Sequence, residues 1–283
     1  MPDETRFEIL ISAEELAASL TRRDLVVLDA RASLADPAAC AAAYRRGHIP
    51  GARFADLDQD LSDHRLQGGR HPWPRAESFT AALGRWGVTP DHQVVVYDAG
   101  DGALAAARAW FLLRTLGHRK AAVLDGGWAR WTALGLPCEA QVPTPERTDY
   151  EARFDARRLL DADQVHAHLE SGGLLLDARA RERFLGEVEP IDRIAGHVPG
   201  ARNRPYGENL REGRFKPAGE LLAEFGAALQ GHPSEDVAVM CGSGVTACHH
   251  LLAMAHAGLP GAKLFTGSWS GWIEDPDRPV ARG

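Results

Sequence analysis

Val237-Ala238-Val239-Met240-Cys241-Gly242-Ser243-Gly244-Val245-Thr246-Ala247 reads as a short buried strand, a glycine-spaced loop and the start of a helix. The helix-like composition continues from Ala247 to Ala257. Strand, loop and helix in that order place one side chain, Cys241, at the carboxyl edge of a sheet. Backbone N–H groups of such a loop, and the N-terminus of the helix behind it, point at the sulfur. Both favour the thiolate, the form in which cysteine acts as a nucleophile.

The rest of the chain is ordinary in bulk. It has 283 residues, 45% hydrophobic and 25% charged, as expected of a soluble globular protein with one large domain or two moderate ones. A formal net charge of −7 argues against nucleic acid or an anionic membrane as partner. No apolar run reaches membrane-spanning length, and Met1–Arg6 is polar, without the apolar core of a signal peptide. A cytoplasmic location is the expectation. The cysteines at 40, 138, 241 and 248 have no CxxC spacing and are expected as reduced thiols.

The chain repeats itself. Leu28-Asp29-Ala30-Arg31 returns as Leu176-Asp177-Ala178-Arg179, and Gly47-His48-Ile49-Pro50-Gly51-Ala52-Arg53 as Gly196-His197-Val198-Pro199-Gly200-Ala201-Arg202. Val94-Val95-Val96-Tyr97-Asp98 matches Val237-Ala238-Val239-Met240-Cys241, and Gly127-Trp128 with Trp131 matches Ser268-Trp269 with Trp272. Four matches in order, at a slowly drifting offset, indicate two copies of a unit of roughly 140 residues rather than a solenoid of short repeats.

Each copy alternates apolar runs with helical patterns. Strands are expected at 25–28, 94–97 and 121–124, and at 174–176, 237–240 and 263–265. Helices are expected at 13–20, 78–86, 104–116, 161–169 and 219–229; Ser12 with Glu15 makes a capping box for the first. The fold class is therefore α/β: two tandem domains, each a mostly parallel sheet flanked by helices. The expected boundaries are 1–137 and 153–283, with the Pro-rich, apolar-poor stretch 138–152 as linker.

The repeat supplies its own comparison. Asp98 stands in the first copy where Cys241 stands in the second, within the acidic loop Asp98-Ala99-Gly100-Asp101-Gly102. Chemistry is expected in the second domain, with the first as scaffold. The two Gly-His-[Ile/Val]-Pro-Gly-Ala segments, the Asp-Ala-Arg strand ends, the tryptophan-bearing segments and Cys241-Gly-Ser-Gly-Val-Thr246 resemble the tandem rhodanese family over nearly the whole chain. The neutral loop is similar to that of the 3-mercaptopyruvate sulfurtransferase branch; the thiosulfate branch carries basic residues there.

That resemblance implies an inactive first domain and an active second one. Cys241 would take the sulfane sulfur of a donor as a persulfide and pass it to a thiol such as thioredoxin or glutathione, or to cyanide in an assay, with no cofactor and no metal. Gly242, Ser243, Gly244, Val245 and Thr246 would cradle the donor, Gly242 and Gly244 allowing the tight curl and Ser243 and Thr246 offering hydroxyls. Arg183 stands where the family has a substrate-binding arginine, suited to a carboxylate. Arg193 is the expected counterpart of a second arginine. Asp58 and His71 match family positions that would join Ser243 in moving protons.

Other readings of the same residues are weaker. Gly242–Ala247 fits G-x-G-x-x-A, but no acidic residue ends the next strand to hold a ribose. A cysteine phosphatase would need an arginine where Ala247 stands. Cys248, His249, His250 and His256 could be drawn as a metal site, but adjacent histidines face different sides of a helix. Thiosulfate sulfurtransferase activity, or a non-catalytic sulfur carrier or redox sensor, are the alternatives to the mercaptopyruvate reading.

Overall fold

The computed structural model describes residues 6–100 and 105–283; Asp101, Gly102 and the expected helix start at Leu104 lie outside the described residues. The chain divides into two compact units, Met1–Leu61 with Pro74–Phe154, and Ser62–Trp73 with Asp155–Gly283. The division is not contiguous in sequence, because Ser62–Trp73 is bonded into the second unit. The Gly69 amide donates to Glu274 Oε1 at 2.8 Å and the Arg70 amide to Ser270 Oγ at 2.9 Å.

The first unit runs β1 (Leu10–Ile11), α1 (Ala13–Ser19), β2 (Leu25–Asp29), α2 (Pro37–Arg46), β3 (Arg53–Phe54), α3 (Ala76–Arg85), β4 (Gln93–Tyr97), α4 (Ala106–Thr115), β5 (Ala121–Leu124) and α5 (Gly127–Ala133). Its sheet is parallel, in the order β1-β5-β4-β2-β3. The second unit runs β6 (Leu159–Leu160), α6 (Ala162–Glu170), β7 (Leu174–Asp177), α7 (Arg181–Leu185), β8 (Arg202–Asn203), the hairpin β9 (Leu210–Arg211) and β10 (Arg214–Phe215), α8 (Ala218–Leu229), β11 (Val237–Met240), α9 (Ala247–His256), β12 (Lys263–Phe265) and α10 (Ser268–Trp272). Its five-stranded sheet is parallel too, β6-β12-β11-β7-β8, the same order strand for strand. The duplication read from the sequence is thus a duplication of topology.

The repeated motifs hold the same positions in both units. Ser12 and Glu15 exchange capping bonds at α1, and Asp161 and Gln164 do so at α6. Arg31 Nη2 bridges Asp29 (2.6 Å) and the Gly47 carbonyl (2.8 Å); Arg179 Nη2 bridges Asp177 (2.6 Å) and the Gly196 carbonyl (2.8 Å). Each guanidinium lies over a tryptophan ring, Trp128 or Trp269. The Asp-Ala-Arg strand ends therefore fasten the Gly-His-[Ile/Val]-Pro-Gly turns. His48 and His197 of those turns bond backbone carbonyls, Tyr44 O and Phe184 O, each at 2.8 Å. Trp131, Trp269 and Trp272 are core residues, packed with Val27, Val95 and Leu124 in the first unit and Leu175, Met240 and Phe265 in the second.

Two histidines are buried in neutral form. His118 accepts from Tyr150 Oη at 2.8 Å and donates from Nε2 to the His92 carbonyl; burial pushes its pKa down to about 4. His250 accepts from Asn209 Nδ2 at 2.9 Å and donates to the Arg204 carbonyl, and burial pushes it down to about 3. A folded pKa below the unfolded one means that the unfolded chain binds more protons between the two values. Stability is complete above about pH 6.5 and falls as pH drops towards 4, by on the order of 2 kcal/mol per histidine at pH 5. Melting temperature should decline between pH 7 and pH 5, and His118→Gln should flatten that slope. An unchanged slope in this variant would remove His118 from the explanation. Among the described residues no helix is long and apolar enough to cross a membrane.

Candidate active site

β11 is the middle strand of the second sheet, and Cys241 follows it directly, 3% exposed. The strand end is pinned from α10. Trp269 N–H donates to Cys241 O at 3.0 Å and Ser270 N–H to Gly242 O at 2.9 Å. In the first unit Trp128 N–H donates to Asp98 O and Ala129 N–H to Ala99 O, both at 2.9 Å. The same pair of bonds puts Asp98 and Cys241 in one structural slot. The Asp98 carboxylate accepts from the Ala106 amide at the start of α4, a scaffold contact.

The two slots also differ at the residue before the pinning tryptophan. Gly127 has φ +51°, and its counterpart Ser268 has φ +50°, in the left-handed region that disfavours a side chain. The Ser268 hydroxyl accepts from the Cys241 amide at 3.1 Å and donates to the Phe265 carbonyl at 3.0 Å. A strained serine thus sits only in the copy with the cysteine, and it holds that cysteine's backbone.

Gly244 takes φ +76° as the loop turns into α9, whose N-cap residue Thr246 makes no side-chain cap bond. Val245 and Thr246 complete the turn. Ser243 Oγ and His71 Nδ1 lie 2.8 Å apart, both buried. A Cβ placed on Gly242 would stand 3.1 Å from Arg70 Nη2 and 3.6 Å from both terminal nitrogens of Arg183. Two guanidiniums therefore crowd the backbone next to Cys241.

Those arginines are held by carboxylates from the segment after α7. Arg183 binds Glu189 through Nε (3.1 Å) and Nη2 (2.7 and 3.0 Å), and Asp192 through Nη2 (3.1 Å). Arg70 Nη1 binds the other oxygen of Asp192 at 2.5 Å. Burial alone would raise Glu189, but Arg183 and the amides of Asp192 and Ile191 hold it below its ordinary value. Its charge is therefore in place throughout the neutral range.

Arg193, singled out in the sequence, is not one of the arginines against Gly242. Arg193 donates to the Ile273 carbonyl, and it is Arg70 that stands beside Arg183 at Gly242. Asp58 belongs to the first unit, where its amide donates to Asp56 Oδ1 at 2.9 Å. Arg70 and Asp192 were not anticipated, although each adjoins a residue that was, His71 and Arg193. Only the folded chain shows that they pair with each other. His249 and His250 both take hydrogen bonds from Asn209 Nδ2 at 2.9 Å. The Cys248 thiol donates to Gly244 O at 3.4 Å, and none of the four cysteines is in a disulfide.

The chain is similar to known proteins over nearly its whole length. The rhodanese-like domain family matches residues 12–134 and 161–275. A Pseudomonas aeruginosa protein named "Probable 3-mercaptopyruvate sulfurtransferase" is 49% identical over 279 residues, 97% of this chain and 98% of that one. A Mycobacterium tuberculosis protein named "Putative thiosulfate sulfurtransferase SseB" is 42% identical over 99% of each chain. The crystal structure of the 3-mercaptopyruvate sulfotransferase SseA from Escherichia coli superposes with a TM-score of 0.80 at 37% identity, covering 93% of this chain and 100% of that one. With both of its sheets matched in this way, the chain belongs to the rhodanese family and carries two rhodanese-like domains in tandem.

Proposed function

We propose that the chain is a 3-mercaptopyruvate sulfurtransferase acting through Cys241. The observation that carries this reading is the pair of guanidiniums, Arg183 and Arg70, against the Gly242 backbone beside a buried cysteine. A planar cation binds the donor's carboxylate, and the Gly-Ser-Gly loop adds no side-chain charge of its own. The Cys241 thiolate attacks the donor sulfur, the carbon–sulfur bond breaks, and its electron pair leaves as the pyruvate enolate. Protonation at carbon then yields pyruvate. The His71–Ser243 pair is the proton source, its two atoms being within hydrogen-bond reach. Cys241 keeps the sulfur as a persulfide, which backbone N–H groups of the loop stabilise as an anion. An acceptor thiolate attacks the outer sulfur and restores the Cys241 thiolate.

In this scheme the transferred group is covalently held, so no cofactor is needed. Glutathione and a thioredoxin-type dithiol are the proposed acceptors, and the cytoplasm the proposed location. Asp58 is the proposed third member of the His71–Ser243 proton-handling group, on the strength of the family resemblance. Thiosulfate is the second reading of the donor, favoured by the name of the Mycobacterium tuberculosis relative. The deciding measurement is kcat/KM for mercaptopyruvate and for thiosulfate with cyanide as common acceptor. Mercaptopyruvate should win by at least about tenfold, since a neutral loop offers a dianion little added attraction. A preference for thiosulfate would refute the donor assignment.

A further inference from the structure

Five side chains of the second unit form a row of alternating charge that ends at the reactive loop. Arg179 Nη1 is 3.6 Å from Glu189, Glu189 is 2.7 Å from Arg183, Arg183 is 3.1 Å from Asp192, and Asp192 is 2.5 Å from Arg70. The two acids are almost wholly buried, with side chains 4% and 5% exposed, and Arg70 is the most exposed member at 27%. Asp177 balances Arg179 at the far end of the row, and Glu189 and Asp192 balance Arg183 and Arg70.

Asp192 is not needed to hold Arg183. Glu189 already clamps that guanidinium with two nitrogens on two oxygens, and is itself fixed by the amides of Ile191 and Asp192. What Asp192 adds is a tie to Arg70 and the cancellation of one charge next to Gly242. Arg70 in turn is only partly used. It gives Nη1 to Asp192, while its Nε is buried without a hydrogen-bond partner. A buried, unpaired guanidinium N–H is costly unless something binds it. Nη2 of the same group faces the Gly242 backbone.

We propose that Arg70 is a donor-binding residue and that Asp192 limits the positive charge of the donor site, favouring a donor with one negative charge over a dianion. The inference rests on the proposed sulfurtransferase reading and deepens it to donor selection. Arg70 supplies the outer cation, Arg183 the inner one, and Asp192, bonded to both, cancels one unit of their charge beside Gly242. Removing the Asp192 charge strengthens attraction for every anionic donor, and doubly so for a dianion.

The test reads the ratio of kcat/KM for thiosulfate to that for mercaptopyruvate, with cyanide as acceptor, in wild type, Asp192→Asn, Asp192→Glu and Arg70→Gln. Asp192→Asn should raise the ratio by about tenfold or more, and steepen the loss of thiosulfate activity with added salt. Arg70→Gln should lower the ratio by a similar factor, largely through KM. Asp192→Glu, which keeps the charge, should stay within about twofold of wild type. Opposite shifts from two bonded neighbours are not what a merely structural contact produces. The proposal is overturned if both neutralising variants leave the ratio unchanged, move it in the same direction, or reduce both donors by a common factor. Should Asp192→Asn fail to fold, an unchanged ratio in Arg70→Gln overturns it alone. The donor assignment itself is judged separately, by which donor the wild type prefers.

Discussion

Cys241→Ser abolishes sulfur transfer from every donor, lowering kcat by at least about four orders of magnitude, the scale of losing a covalent nucleophile. Serine's hydroxyl is a far weaker nucleophile at neutral pH, and an oxygen cannot stand in for the sulfur that carries a persulfide. The fold should survive, because its own first unit places a carboxylate, Asp98, in the same slot between the same backbone bonds. The loss is therefore chemical, and the melting temperature of the variant should stay within a few degrees of wild type. Mass spectrometry supplies the complementary measurement. Wild type incubated with mercaptopyruvate and no acceptor should gain one sulfur atom on the peptide containing Cys241, lost again on adding cyanide. Turnover in Cys241→Ser, or sulfur found on Cys248 instead, would sink the mechanism.

The parts of this protein that were legible in the sequence are those whose signal is local. The runs 121–124, 237–240 and 263–265 coincide with β5, β11 and β12, since a buried parallel strand is a short apolar run with no other constraint. The edge strands β1, β3, β6 and β8 have two residues each, too few to carry a pattern. Helix α2 went unread because its residues Pro-Ala-Ala-Cys-Ala-Ala-Ala-Tyr-Arg-Arg form no apolar stripe, and only Tyr44 is buried. Its start is set by Asp36, which accepts from the Ala39 amide, and by Pro37 in the first turn. At the site, Cys241 and its loop stand out by composition alone. The His71–Ser243 contact spans 172 residues and entered only through family resemblance. Arg70 and Asp192 form a pair 122 residues apart, a geometry no spacing rule contains.

Gly69 is the residue on which the delivery of Arg70 and His71 depends. It has φ +89°, and a Cβ there would lie 2.6 Å from Ser270 Oγ, 2.7 Å from Gly267 O and 2.9 Å from Gly271 N. Two of these atoms are backbone bonded to each other at 2.9 Å in α10, so they cannot give way independently. The third accepts the Arg70 amide. Gly69→Ala therefore carries a left-handed penalty of about 1–3 kcal/mol and an overpacking cost of similar size, and relieves both by lifting the segment off α10. The next two residues are the ones that meet Asp192 and Ser243. A shift of about 1 Å there costs on the order of a hundredfold in kcat/KM, a typical price of misplacing groups around a reacting centre. Gly68→Ala is the control: its φ of +118° is also disfavoured, but nothing lies within 4 Å of its Cβ position, so it carries strain without collision. Gly69→Ala should lose far more activity than Gly68→Ala, while Cys241, held from the other side by Ser268 and Trp269, still reacts stoichiometrically with an alkylating reagent. Equal activity in the two variants would mean that contact with α10 does not position the segment for catalysis.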